Sequence, residues 1–90
     1  MAFDFALTKG QSRVTKQEIT LASGARAVTE VISAEGGGEI VSQYTIPADG
    51  SAPKSHRICL YCDGALYKCI DCEKNCTESS CVNPKYHRCC

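Results

Sequence analysis

Cys59-Leu60-Tyr61-Cys62-Asp63-Gly64-Ala65-Leu66-Tyr67-Lys68-Cys69-Ile70-Asp71-Cys72-Glu73-Lys74-Asn75-Cys76-Thr77-Glu78-Ser79-Ser80-Cys81-Val82-Asn83-Pro84-Lys85-Tyr86-His87-Arg88-Cys89-Cys90 holds all eight cysteines of the 90-residue chain. Thiols at this density hold metal as thiolates, staple a small fold with disulfides, or carry redox chemistry. Large apolar residues are sparse here, so the stretch needs cross-links of some kind to stay folded. A chain this short buries only about 60–65% of its unfolded surface, which leaves little margin in the core.

The spacing runs Cys-x2-Cys, x6, Cys-x2-Cys, x3, Cys, x4, Cys, x7, Cys-Cys. Two Cys-x2-Cys pairs are enough for one tetrahedral zinc shell, so Cys59, Cys62, Cys69 and Cys72 form the expected first metal site. Asp63-Gly64 gives the chain room to turn back between the pairs. Cys76, Cys81, Cys89 and Cys90, with His87 as a substitute ligand, form an expected second site. An interleaved wiring, or a cluster with bridging thiolates, would use the same donors. If the cysteines are instead oxidised, they form up to four disulfides and hold no zinc. Cys89 and Cys90 then reach different partners, because adjacent Cα atoms lie about 3.8 Å apart and a disulfide wants about 4.4 Å or more.

Cys59-x2-Cys62-x6-Cys69-x6-Cys76 is similar to the first half of the fungal binuclear zinc-cluster DNA-binding family. The second half departs from it: four residues separate Cys76 from Cys81, and Cys72 is surplus. That resemblance implies paired zinc ions and DNA contact, but the family places basic residues in the first loop, where this chain has Asp63 to Lys68. Ala65-Leu66-Tyr67-Lys68-Cys69-Ile70-Asp71-Cys72 faintly resembles the middle of a B-box finger. From Arg57 onward there are five basic residues (Arg57, Lys68, Lys74, Lys85, Arg88) and four acids (Asp63, Asp71, Glu73, Glu78), a formal +1. Each four-thiolate zinc site would contribute about −2, leaving the tail near −3, the wrong sign for phosphate contacts. The formal net charge of the whole chain is zero, so no nucleic-acid or membrane partner is expected from charge.

Ahead of the tail the pattern suits strands. Glu18 to Leu21, Ala27 to Ile32 and Ile40 to Ile46 alternate. In the last run Ile40, Ser42, Tyr44 and Ile46 share one face. Gly36-Gly37-Gly38 supplies a hairpin reversal, and Ser23-Gly24 a second turn. The fold class expected is a small β-rich N-terminal unit, an antiparallel meander of three or four strands if Phe3 to Leu7 joins it. A cysteine-rich tail with little regular structure follows. A helix over Ala25 to Ala34 competes with the second strand. The division is a β-rich unit over 1–46, a Pro/Gly/Ser linker over 47–57 and a cysteine module over 58–90. Asp4, Glu18, Glu30, Glu35, Glu39 and Asp49 read as solvated, and so do His56 and His87.

No paired-carboxylate site, phosphate loop or nucleophile motif is visible, so the expected function is not enzymatic. No run approaches the roughly 20 apolar residues of a membrane span. The start lacks the basic flank and apolar run of a secretory signal, which points to reducing cytosol and tilts the cysteines toward zinc, one or two ions. The leading expectation is a zinc-stabilised binding or assembly module with a protein partner. The alternatives are a disulfide-stapled extracellular or particle-surface protein that self-associates through its strands, and a metal-sequestering protein.

Overall fold

The computed structural model describes residues 3–90. Five antiparallel strands run in chain order as a single sheet: β1 (Ser12–Thr20), β2 (Arg26–Ala34), β3 (Gly38–Ile46), β4 (His56–Cys62) and β5 (Ala65–Cys72). A small second sheet pairs β6 (Thr77–Glu78) with β7 (Arg88–Cys89), and a 3-10 turn at Pro84–Tyr86 lies between them.

Local chemistry sets each reversal. Asp63-Gly64 takes positive φ at both residues (54° and 76°) and links Cys62 to Ala65 as a two-residue hairpin. Gly36 and Gly37 take φ near +84° and +83° where Ala34 turns back to pair with Gly38. The Ala25 to Ala34 stretch forms strand β2 from Arg26 onward, not a helix; β3 pairs with all of it and β1 with Arg26 to Ser33. β-branched residues at Val28, Thr29, Val31 and Ile32 favour that pleated, half-buried environment.

Alternation sorts the sheet into an inner and an outer face. Val28, Glu30, Ile32 and Ala34 from β2, Ile40, Ser42, Tyr44 and Ile46 from β3, and His56, Ile58 and Leu60 from β4 are all buried. Two segments cover this inner face. Phe3 to Leu7 crosses it as an irregular strap and joins neither sheet, so of the three or four strands expected over 1–46 the three-strand case holds. Phe5 is 1% exposed against Ile32, Ile40, Ile58 and Leu60, a burial of about 1.5–3 kcal/mol. The tail adds Cys81 against the same cluster and His87, whose Nε2 lies 3.2 Å from the Ile58 carbonyl oxygen, while Phe3 packs on Val28, Tyr44 and Ile46.

The main sheet runs across the stretch 47–57 expected as a linker. β4 pairs with β3 from Arg57 opposite Gln43 to Tyr61 opposite Glu39, so the first four cysteines stand in or at the end of the main sheet. Regular structure therefore reaches further into the tail than its composition suggests. Pro47 to Ser55 is the loop between β3 and β4, closed by Gly50 N–H donating to the Pro47 carbonyl at 2.9 Å.

Glu30 corrects the expectation that it is solvated. It is fully buried, and its carboxylate accepts from the Phe5 backbone N–H at 3.0 and 3.1 Å, the Tyr44 hydroxyl at 2.8 Å and Arg13 Nε at 3.4 Å. Arg13 also donates to the Phe5 carbonyl. One carboxylate thus fastens the strap to β1, β2 and β3. Burial, and then the Glu30 carboxylate that its hydroxyl faces, push the Tyr44 pKa up, so it stays a donor at any ordinary pH. Glu30→Ala would leave the Phe5 amide and the Tyr44 hydroxyl buried without a partner. The expected loss is about 3 kcal/mol of unfolding free energy, read from urea transitions of the oxidised protein.

Candidate functional site

All eight cysteines are paired; three of the pairs hold the tail, and the fourth crosses a hairpin that backbone hydrogen bonds already join. Cys59 and Cys69 lie directly opposite each other on β4 and β5, with Cα atoms 4.0 Å apart. Cys62 at the end of β4 joins Cys81, Cys72 at the end of β5 joins Cys89, and Cys76 joins Cys90, with Cα separations of 5.7, 5.6 and 5.8 Å. The sequence separations are 10, 19, 17 and 14 residues. Closing loops of this size removes about 3 kcal/mol each of denatured-state entropy when taken singly.

The expected first shell is thus divided. Cys59 and Cys69 meet each other, whereas Cys62 and Cys72 leave for Cys81 and Cys89. The expected second group of Cys76, Cys81, Cys89 and Cys90 is split likewise, and His87 points at no sulfur. Cys89 and Cys90 do reach different partners, as adjacent Cα geometry requires. Among the described residues no group of three or more His, Cys, Asp or Glu side chains is arranged to hold a metal ion. The disulfide alternative, not the zinc shell, matches this arrangement.

The tail seats itself through polar contacts as much as through sulfur. Cys81 N–H donates to the Glu35 carbonyl at 3.0 Å, and Asn75 Nδ2 donates to the Phe3 carbonyl at 2.9 Å. Gln11 Nε2 donates to the Thr77 carbonyl at 3.0 Å. Gly38 has no side chain for a reason: a Cβ there would overlap the Cys81 sulfur and press on the Tyr61 carbonyl oxygen at 2.9 Å. The third glycine of the run is therefore set by the Cys62–Cys81 crossing, while Gly36 and Gly37 serve the turn.

His56 and His87 are buried, each 5% exposed, where solvent-facing side chains were expected. His87 Nε2 lies 3.2 Å from the Ile58 carbonyl oxygen, its only acceptor, and so carries the proton; Nδ1 then accepts from the Ser79 hydroxyl. His56 packs edge-on against Tyr44, with ring centroids 4.9 Å apart. Its sequence parity with Ile58 and Leu60 is the signal that places it inward; nothing comparable marks His87.

The other notable surface is β1. It is exposed at every one of its nine positions. β2 carries the inward Val28, Glu30 and Ile32; the facing β1 positions are Glu18, Lys16 and Arg13, so the core stops at β2. Lys16 pairs with Asp4, and Arg26 Nη1 reaches Glu18 at 3.2 Å. Val14 and Ile19 remain 56% and 65% exposed. β1 lies at one end of the strand order and no described element pairs with its outer edge. The opposite edge strand, β5, is partly covered because Cys72–Cys89 draws β7 against it.

Compared with protein-family models, curated proteins and solved structures, the chain matches none. Its reading therefore rests on this geometry.

Burial pushes the pKa of both His56 and His87 down; the Ile58 hydrogen bond opposes the shift at His87, and Glu30 opposes it at His56. A depressed histidine pKa means that the unfolded chain takes up protons the folded chain refuses. Stability is then full above pH about 6.5 and falls as pH drops from that value through the lower folded pKa values. Urea midpoints should decline from pH 7.5 to pH 5 with the disulfides intact; a flat profile over this range contradicts the burial of these rings.

Proposed function

We propose that this chain is a non-enzymatic structural protein, stapled by four disulfides, that works in an oxidising extracellular or particle-surface setting and assembles with further copies of itself through its strands. Complete pairing of the cysteines supports the setting, since disulfides persist where thiols are not kept reduced. The observation that carries the assembly reading is β1, a nine-residue edge strand exposed along its whole length, with no described element on its outer edge. An unpaired row of N–H and C=O groups is a template for another strand. Sheet proteins blunt such an edge by keeping it short, covering it, charging it or bulging it; β1 is long and no described element covers its edge, and its irregularity at Val14 leaves Thr15 to Thr20 as the regular stretch that can pair.

Two further features favour association. The formal net charge of zero leaves little long-range repulsion between copies. The exposed apolar side chains Val14, Ile19 and Leu21 lie on or beside this edge. The zinc-module and sequestration readings would need the same sulfurs as free thiolates.

Sedimentation velocity of the oxidised protein across a concentration series should show reversible species larger than the monomer. Ile19→Lys places a charge on the edge strand without touching the core. It should weaken association by about tenfold or more while leaving the melting temperature of the monomer unchanged. A wild-type chain that stays monomeric throughout the series overturns the reading.

A further inference from the structure

β1 carries a charge order that matches itself when reversed. We propose that two copies pair β1 against β1 in antiparallel register about a two-fold axis at Gln17, joining their sheets into one continuous ten-stranded sheet; this rests on the strand-mediated self-association proposed above. In that register Lys16 of each copy faces Glu18 of the other, Thr15 faces Ile19, and Gln17 faces itself.

The alternatives are poorer. Antiparallel pairing about an axis perpendicular to the sheet keeps both inner faces on the same side only if the axis passes through a residue, because side chains alternate with a period of two. Moving the axis to Lys16 sets Lys16 against Lys16, and moving it to Glu18 sets Glu18 against Glu18. Like charges directly opposite destabilise a pair, and opposite charges stabilise it. Only the axis at Gln17 gives two opposite-charge pairs.

Charges within each copy extend the match. Lys16 already pairs with Asp4, and Glu18 with Arg26. Lys16, Glu18 and Arg26 all project on the inner side of the sheet, opposite or beside buried β2 and β3 positions. Across the seam the order becomes Asp4, Lys16, then Glu18 and Arg26 of the second copy, alternating in sign. The two-fold repeats this row in the other direction.

The β1 irregularity limits the seam. The ladder with β2 shifts between Arg13 and Thr15, leaving Val14 as the extra residue. A bulge twists and interrupts an edge. The regular stretch Thr15 to Thr20 lies to one side of it, and an axis at Gln17 is close to the middle of that stretch. The bulge thus bounds the pairing and opposes slippage toward the strand's start.

A charge-swap mixture tests the register. Lys16→Glu makes both positions acidic and Glu18→Lys makes both basic, so each variant alone should be monomeric, with a dissociation constant raised at least about tenfold. Mixed one to one, they should form a heterodimer, because each acidic position then meets a basic one. Four intact disulfides in each variant, checked by mass, separate this from misfolding, which mixing would not rescue. Variants that self-associate as the wild type does, or a mixture that stays monomeric, overturn the register while leaving strand-mediated association standing. A wild-type chain that is itself monomeric up to about 1 mM overturns both.

Discussion

The inner face of the main sheet has to be covered, and the described residues form neither an α-helix nor a second large sheet to place over it. Ile32, Ile40, Ile58 and Leu60 are fully buried, yet what lies above them is an irregular strap and a tail rich in polar residues. Thr77, Ser79 and His87 are among the buried positions of that tail. Hydrophobic burial alone would hold such a cover weakly, since few of its own side chains gain by leaving water. Three disulfides, Cys62–Cys81, Cys72–Cys89 and Cys76–Cys90, fix the tail to the ends of β4 and β5 and to itself. The fourth, Cys59–Cys69, clamps the β4–β5 hairpin that serves as their anchor.

The strap is held by a different means. Glu30 places a carboxylate inside the sheet and meets it with the Phe5 backbone N–H, the Tyr44 hydroxyl and Arg13. A buried charge is tolerable only when its acceptors are this fully used. The arrangement orients Phe5 into the core and ends the apolar interior at β2. β1 is left as a charged, wet strand with no described element paired to its outer edge.

Much of this architecture was legible in the residues. Alternation at Ile40, Ser42, Tyr44 and Ile46 specified the buried face of β3, and the glycines at 36 to 38 and the Asp63-Gly64 pair specified reversals. The adjacency of Cys89 and Cys90 specified different partners for them. What could not be read was the wiring. A Cys-x2-Cys spacing suits a tetrahedral ion, but Cys59 and Cys62 stand on a strand. There, residues three apart point to opposite faces, so their sulfurs diverge. Charged and polar residues inside the sheet were also missed. Glu30 and His56 share parity with apolar neighbours, and that parity outweighs their polarity only because specific donors and the Tyr44 ring receive them. The tail's part in covering the sheet depends on contacts between residues about 45 to 70 positions apart, such as Ser80 with Glu35 and Asn75 with Phe3, which no local pattern encodes.

Disulfide mapping of the folded protein, without reductant, tests the account at its centre. The account predicts an intact mass about 8 Da below the fully reduced value, unchanged by acid denaturation. It also predicts proteolytic peptides that link Cys59 to Cys69, Cys62 to Cys81, Cys72 to Cys89 and Cys76 to Cys90. Eight alkylatable thiols in a folded chain, or a mass raised by about 63 Da per ion that acid removes, would contradict it.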